Sequence, residues 1–350
     1  MSHKADASAR RRSWKMGLHT MFLKEILALV AFLSAMPAMS QEAQKTDIRI
    51  VTFGSGPIDG AYYEAVNTIC ASFNQNPIEG YRCSTDPTPG SLYNLDALKR
   101  GTLDFALVQS DLHRAALVKA TRSNFAATPS KLRSVISLYP EPFTILVRND
   151  ADISSLADLR AKRVDQGPSS SGRRPTVERV FSALDLVESD FAELTQHALL
   201  VALDELCADR LDAVLLVIGH PNSAVARTLK ECDVHLINAS GSNLRKFVTN
   251  NPAFTSGLIP SHSYPELQED ISTFSVMATV MTRNDVPYQL VEKMAQMMID
   301  HWKDLHQALA KPSDSATDYG WTAGLTAPLH TATSPLLGKQ DSDLKAPLTR

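Results

Sequence analysis

Apolar positions along this chain follow two rhythms, short continuous runs and runs spaced every three or four residues. Residues 48–53 (Ile-Arg-Ile-Val-Thr-Phe) predict a buried strand. It runs into a loop carrying Gly54, Gly56 and Gly60, and then into residues 61–73, whose spacing is that of an amphipathic helix. Residues 81–85 predict a second strand, 92–100 a helix closed by Gly101, and 103–108 a third strand ending in Gln109, Ser110 and Asp111. Two apolar runs, 135–139 and 143–147, flank Pro140, Glu141 and Pro142 and read as one long strand. Beyond it come a short helix at 154–159, a strand at 162–165 and a helix at 173–184 with Pro175 in its first turn. A helix at 202–208 precedes a strand at 211–218, which stops at Gly219, His220 and Pro221. Residues 274–281 predict a return strand and 286–309 a long helix; after Pro312 the chain is loop-rich and its last dozen residues form a polar tail.

Strands alternating with helices predict an α/β fold with mostly parallel sheets. At 350 residues the chain is long for one compact core and suits two lobes. Crossings near 140 and 276 make the first lobe discontinuous: residues 41–142 plus 276–350 form lobe I and 143–275 lobe II. Residues 1–40 have the layout of a signal peptide, with a basic stretch, an apolar run at 26–33, and Ala38 and Ser40 at the −3 and −1 positions of a cut before Gln41. An uncleaved membrane anchor is the alternative for this segment. Setting these residues aside leaves 29 basic and 36 acidic residues, a net charge of −7. That mild acidity fits a soluble monomer and excludes the basic stripe of a nucleic-acid binder.

Cysteine usage agrees with export. Cys70, Cys83, Cys207 and Cys232 allow three pairings, and the short-range one, Cys70–Cys83 with Cys207–Cys232, closes one small loop in each lobe. No metal-ligand spacing occurs among them, and neither a metal nor a cofactor is expected.

Three loops share one design: a strand end, a run of Gly, Ser or Thr, and a helix start. They are residues 54–60, 88–91 and 167–172. Unpaired N–H groups and the positive end of the dipole make a helix start attractive to carboxylate or phosphate. Glycine admits close approach, and hydroxyls add donors. Ser55, Gly56, Gly90, Ser91, Ser170, Ser171 and Gly172 are therefore candidate contacts with a small anion. Arg173 and Arg174 stand in a helix's first turn, against the dipole; Arg173 is the first candidate for gripping a carboxylate, and the alternatives are two solvated arginines or one of them paired with Asp165 or Glu178. The first loop also has a rival reading as a dinucleotide-binding turn, a motif that wants an acidic residue ending the second strand, where Asp86 stands just past the predicted end. A serine-hydrolase elbow is absent at 167–172, and His220 and His330 read as loop histidines satisfied by backbone. No catalytic constellation emerges, and the chain is not read as an enzyme.

With these residues in view the chain resembles the TAXI family of TRAP-transporter solute receptors. The matching pieces are Phe53 to Gly56 with Gly60 to Tyr63, Ser84 and Thr85 with Gly90 to Leu95, and Gly101 followed by Leu103 to Asp111. Further on they are Leu138 to Pro142, Gly167 with Ser171 and Gly172, Gly219 to Pro221, and Ala327 to His330. The resemblance spans about residues 48–332. It implies a two-lobed type II periplasmic-binding-protein-like fold, a cleft between lobes joined by two crossing strands, and capture of a small organic acid. Amino acids such as glutamate, oxo-acids and hydroxy-acids are the implied ligand class. It also implies handover in the periplasm to a TRAP-type permease driven by an ion gradient. Carried over position by position, it implies contacts from Gly56, Tyr63, Gly90, Ser91, Asn94, Gln109, Ser110, Ser171 and Gly172. Pro57, Ile58 and Asp59 depart from the family's Gly- and Thr-rich first loop, and Asp86 to Pro89 replace a glycine-rich stretch. A periplasmic sensor without a transport role and an exported nucleotide-dependent oxidoreductase are the competing functions.

Overall fold

A computed structural model describes residues 47–58, 60–122, 131–301 and 320–340. The signal-peptide reading of residues 1–40, Asp59, the end of the predicted 286–309 helix and the polar tail lie outside the described residues.

Strand β1 (Arg49–Gly54) buries Val51 and Phe53 completely and leads through the first glycine loop to helix α1 (Ala61–Gln75). Tyr62, Ala65, Val66, Ile69, Cys70 and Phe73 are buried on α1, the three-and-four spacing of a one-sided helix. β2 (Tyr81–Asp86), α2 (Ser91–Arg100) and β3 (Phe105–Gln109) follow, and α2 ends on Gly101 in the left-handed conformation, φ 77°. Helix α3 (Ser110–Arg122) starts directly at the end of β3, where the sequence predicts only a strand end. The long strand β4 (Leu132–Arg148) runs without a break through Pro140 and Pro142.

β5 (Arg163–Asp165), α4 (Arg173–Ala183), β6 (Glu193–Thr195), α5 (Leu199–Cys207) and β7 (Ala213–Val217) come next. Then follow α6 (Ser223–Glu231), β8 (Val234–Ile237), α7 (Ser242–Thr249) and β9 (Thr255–Ile259), none of which the sequence reading assigns. β10 (Ile271–Arg283), α8 (Tyr288–Asp300) and α9 (Ser334–Gln340) complete the described chain.

The strands form one sheet in the order β2-β1-β3-β10-β4-β7-β5-β6, with β8 also on β4 and β9 also on β10. Pairings of β1 with β2 and β3, and of β5 with β6 and β7, are parallel. Every pairing of β4 and β10 with another named strand is antiparallel. The expected mostly parallel sheet is therefore corrected to a mixed one, because the two long strands run in opposite directions through its middle. β4 pairs with β10 over Leu132–Pro142 and with β7 over Phe143–Val147. Each proline forfeits a ladder N–H, and both sit where β4 exchanges one neighbour for the other.

Helices cover both faces of the sheet, so its central strands read as continuous apolar runs. Around β1, β3 and β10, residues Val51, Phe105 and Val280 pack with Ile69 and Phe73 of α1 and Met294 and Met298 of α8. On β4, Ile145 and Val147 join a core with Val177 and Phe181 of α4, whereas Leu146 joins another with Leu203 of α5 and Leu229 of α6. Each such side chain contributes about 1.5–3 kcal/mol by leaving water. Phe143 of β4 stacks on Phe274 of β10 with centroids 5.0 Å apart, which ties the two long strands together. Cys70 of α1 bonds Cys83 of β2, and Cys207 of α5 bonds Cys232 beyond α6, the expected short-range pairing.

Candidate functional site

The loop after β1, the starts of α1, α2 and α4, and the ends of β3 and β7 surround a cavity of about 440 Å³. Gly56, Gly90, Ser91, Gln109, Ser170, Ser171, Gly172 and Arg173 line it, and all eight are residues singled out from the sequence. Strand carboxyl ends and helix starts converge there for the reason that makes such crevices binding places: their N–H groups have no partner within the helix.

The remaining four predicted residues do not line the cavity, and three of them brace its walls. Ser55 is fully buried; its hydroxyl donates to the Asp86 carbonyl at 2.9 Å, and its own carbonyl accepts from Asn94 Nδ2 at 2.7 Å. Asn94 spends its second donor hydrogen on the Leu107 carbonyl at 2.8 Å. Together with the Thr88 hydroxyl, 2.9 Å from the Ser55 carbonyl, they fasten the first loop to the second. Ser110 donates to the Ala253 carbonyl at 2.7 Å and accepts from the Met277 N–H at 2.9 Å, which locks the start of α3 onto β10. Tyr63 lies off the cavity; its neighbour Tyr62 lines it, one helical step round α1.

Two glycines have conformational work in the walls. Gly90 precedes α2 at φ +111°, a region that residues with a Cβ rarely enter. Gly172, at the start of α4, approaches β3 so closely that a Cβ would stand 2.3 Å from Gln109 Oε1 and 3.0 Å from Ser91 Oγ. The third loop is thus folded down onto the second loop and the end of β3.

Glu141 and Tyr62 are cavity residues that the sequence reading leaves unassigned. The Tyr62 hydroxyl donates to Glu141 Oε2 at 2.8 Å. Burial, against the Tyr62 hydrogen bond and with the nearby charge of Asp111, pushes Glu141 up to about 8. Burial likewise holds the phenols of Tyr62 and Tyr139 well above their usual range, so both stay neutral. The backbone N–H of Gln109 donates to Ser91 Oγ at 3.1 Å, whereas its side-chain Oε1 has no partner although it is buried.

Arg173 takes the pairing with Asp165 that the sequence offers as the alternative. Its guanidinium pairs with the fully buried Asp165, whose carboxylate also accepts from Gly167 N at 3.1 Å, Thr195 Oγ1 at 2.7 Å and His197 N at 2.7 Å. Its Nε remains buried and unpartnered at the cavity wall. Arg174 pairs with Glu178 at 2.7 Å across one helical turn. Just behind the cavity, Asp111 of α3 accepts from Thr176 Oγ1 at 2.7 Å and pairs with Arg179, both on α4. Burial raises Asp111, and Arg179 opposes that shift.

His220 is held by side-chain hydroxyls instead of the expected backbone: Thr144 Oγ1 at 2.7 Å and Tyr264 OH at 2.6 Å. Burial pushes it down to about 3, so the imidazole is neutral. His330 does meet backbone, with Nδ1 accepting from Ala332 N at 3.2 Å.

Helix starts and strand ends that converge on a cavity are the general arrangement of small-molecule sites in α/β molecules. The chain matches the model of the NMT1-like family over residues 53–335 and belongs to that family. Among solved structures it is similar to the periplasmic aliphatic sulphonate binding protein SsuA from Escherichia coli, at 13% identity over 75% of this chain and 77% of that one, TM-score 0.45. It is also similar to a putative L-cystine ABC transporter protein from Listeria monocytogenes, at 13% identity over 75% and 97%, TM-score 0.46. A third similar structure is an ancestral arginine-binding protein bound to arginine, at 14% identity over 74% and 96%, TM-score 0.44.

Proposed function

We propose that this protein is a solute receptor that encloses a small organic acid in the 440 Å³ cavity. The carrying observation is that the starts of α1, α2 and α4 meet at one cavity with Gly172 seated against Ser91 and Gln109. Three positive dipole ends favour one carboxylate, and the glycine contact is what a closed jaw requires. Membership of the NMT1-like family supports the reading.

In this reading residues 41–142 with 276–350 form one lobe, 143–275 the other, and β4 and β10 are the connections about which they swing. Ser91, Gln109, Ser171 and Gly172 meet the ligand, and closure excludes water and strengthens each hydrogen bond. The closed surface is what a TRAP-type permease recognises in the periplasm, after export directed by residues 1–40. The two disulfides support an oxidising compartment. The function is one of binding and delivery, with no catalytic step.

Calorimetry on S91A and Q109A tests the site. Each variant should fold as the parent does and bind the parent's acid about 10–100-fold more weakly, the size of a lost hydrogen bond to a charged group. Parental affinity in both would reject this cavity as the binding site.

A further inference from the structure

Glu141 and Gln109 bring buried acceptor atoms to the cavity from β4 and β3, at 5% and 4% exposure. Tyr62 serves Glu141 Oε2, and Gln109 Oε1 has no partner at all. A buried acceptor without a donor is costly, so a ligand that supplies an N–H group to Gln109 Oε1 gains a hydrogen bond the cavity residues do not make. Among the described residues Arg173 is the one cation in the lining, and it is already tied to Asp165. A ligand with two carboxylates would therefore meet one set of helix starts and a carboxyl group. The wall formed by Leu199, Leu216, Val217 and Ile218 is apolar, and no charge there answers a second acid.

We propose that Glu141 is the specificity-determining residue of the cavity: it receives the protonated amine of a zwitterionic acid whose apolar side chain lies on Leu199, Leu216, Val217 and Ile218, and it disfavours dicarboxylates. This rests on the receptor reading above and narrows its ligand.

Binding is then coupled to a proton. In the empty cavity burial keeps Glu141 protonated near neutrality. When the ammonium arrives, the carboxyl O–H bond breaks, the proton leaves to solvent, and the carboxylate pairs with the ligand's positive charge. The other titratable groups acting on Glu141 are Tyr62 from α1, whose phenol stays neutral, and Asp111 from α3, which Arg179 offsets; Tyr139 lies on the same strand and is neutral too. Arg173 of α4 is neutralised by Asp165.

The test is titration calorimetry on the chain from Gln41, unfolded and refolded to strip carried solute, against leucine, phenylalanine, glutamate and the 2-oxo analogue of leucine. Leucine or phenylalanine should bind at least about tenfold more tightly than glutamate and the 2-oxo acid. Heats in buffers of different ionisation enthalpy should report about one proton released per ligand near pH 6.5 and little above about pH 9. E141Q mimics the neutral acid and keeps the Tyr62 contact; it should abolish the preference for the amine. E141D keeps the charge and should keep the preference at lower affinity. Equal or tighter binding of the 2-oxo acid or of glutamate, or no proton release by the parent, would overturn the role of Glu141 and leave the receptor reading standing. Failure of every acid to bind the refolded chain would remove both.

Discussion

Gly172 shows how one missing methyl group sets the geometry of the cavity. A Cβ there would collide with Gln109 Oε1 at 2.3 Å, so G172A should prop the third loop away from Ser91. The expected result is a ligand affinity at least about tenfold lower with little loss of stability, because the strain is relieved by opening; urea unfolding alongside calorimetry separates the two. Glu141 has a signature of its own. Its folded pKa of about 8 exceeds the usual carboxyl value, so the folded state holds a proton that the unfolded chain releases. Its favourable state is fully present below the unfolded carboxyl pKa and is lost as pH rises toward about 8. The ligand-free protein should therefore lose stability across that window relative to E141Q, and parallel pH profiles of the two unfolding midpoints would contradict this. Neither Glu141 nor Tyr62 is legible as a site residue in the sequence. Glu141 sits between two prolines inside an apolar run, and only the partner exchange of β4 turns it to the cavity. Tyr62 and Tyr63 are adjacent and chemically alike, and only the phase of α1 chooses between them.

At the scale of elements, the two ends of the cavity are joined by a helix-to-helix contact. Asp111 in the first turn of α3 holds Thr176 and Arg179 of α4. D111N removes the charge that pairs with Arg179 and leaves that guanidinium against a buried amide, so ligand dissociation should quicken by about tenfold or more while the fold survives. Stopped-flow displacement measures it, and an unchanged off-rate would show that the contact serves the fold alone. The long runs were readable: β1, β3, β4, β7 and β10, and the helices they alternate with, follow from apolar continuity and three-and-four spacing. What escaped are short elements, β6 with three residues, β8 with four and α7 with eight, where too few apolar positions exist to define a period. Helix α6 had a readable start, since Asn222 caps it by accepting from the N–H groups of Ala224 and Val225. The start of α3 was hidden because β3 passes into it with no intervening loop.

For the molecule as a whole, the disulfides span 13 and 25 residues and each closes a loop in the unfolded chain. Replacing either pair by serine should lower stability by about 3 kcal/mol without touching the cavity, read by urea unfolding. The proposed lobe closure and handover to a permease rest on one claim, that the cavity closes on a small acid. Thermal unfolding of the chain from Gln41, refolded to strip carried solute, against amino acids and di-, oxo- and hydroxy-carboxylates tests that claim most directly. A ligand that binds only the folded state at 100-fold over its dissociation constant adds about 2.7 kcal/mol, which raises the midpoint by several degrees at most. The account predicts such a rise for one class of acid and its absence for the others; a flat response across the refolded panel would contradict it.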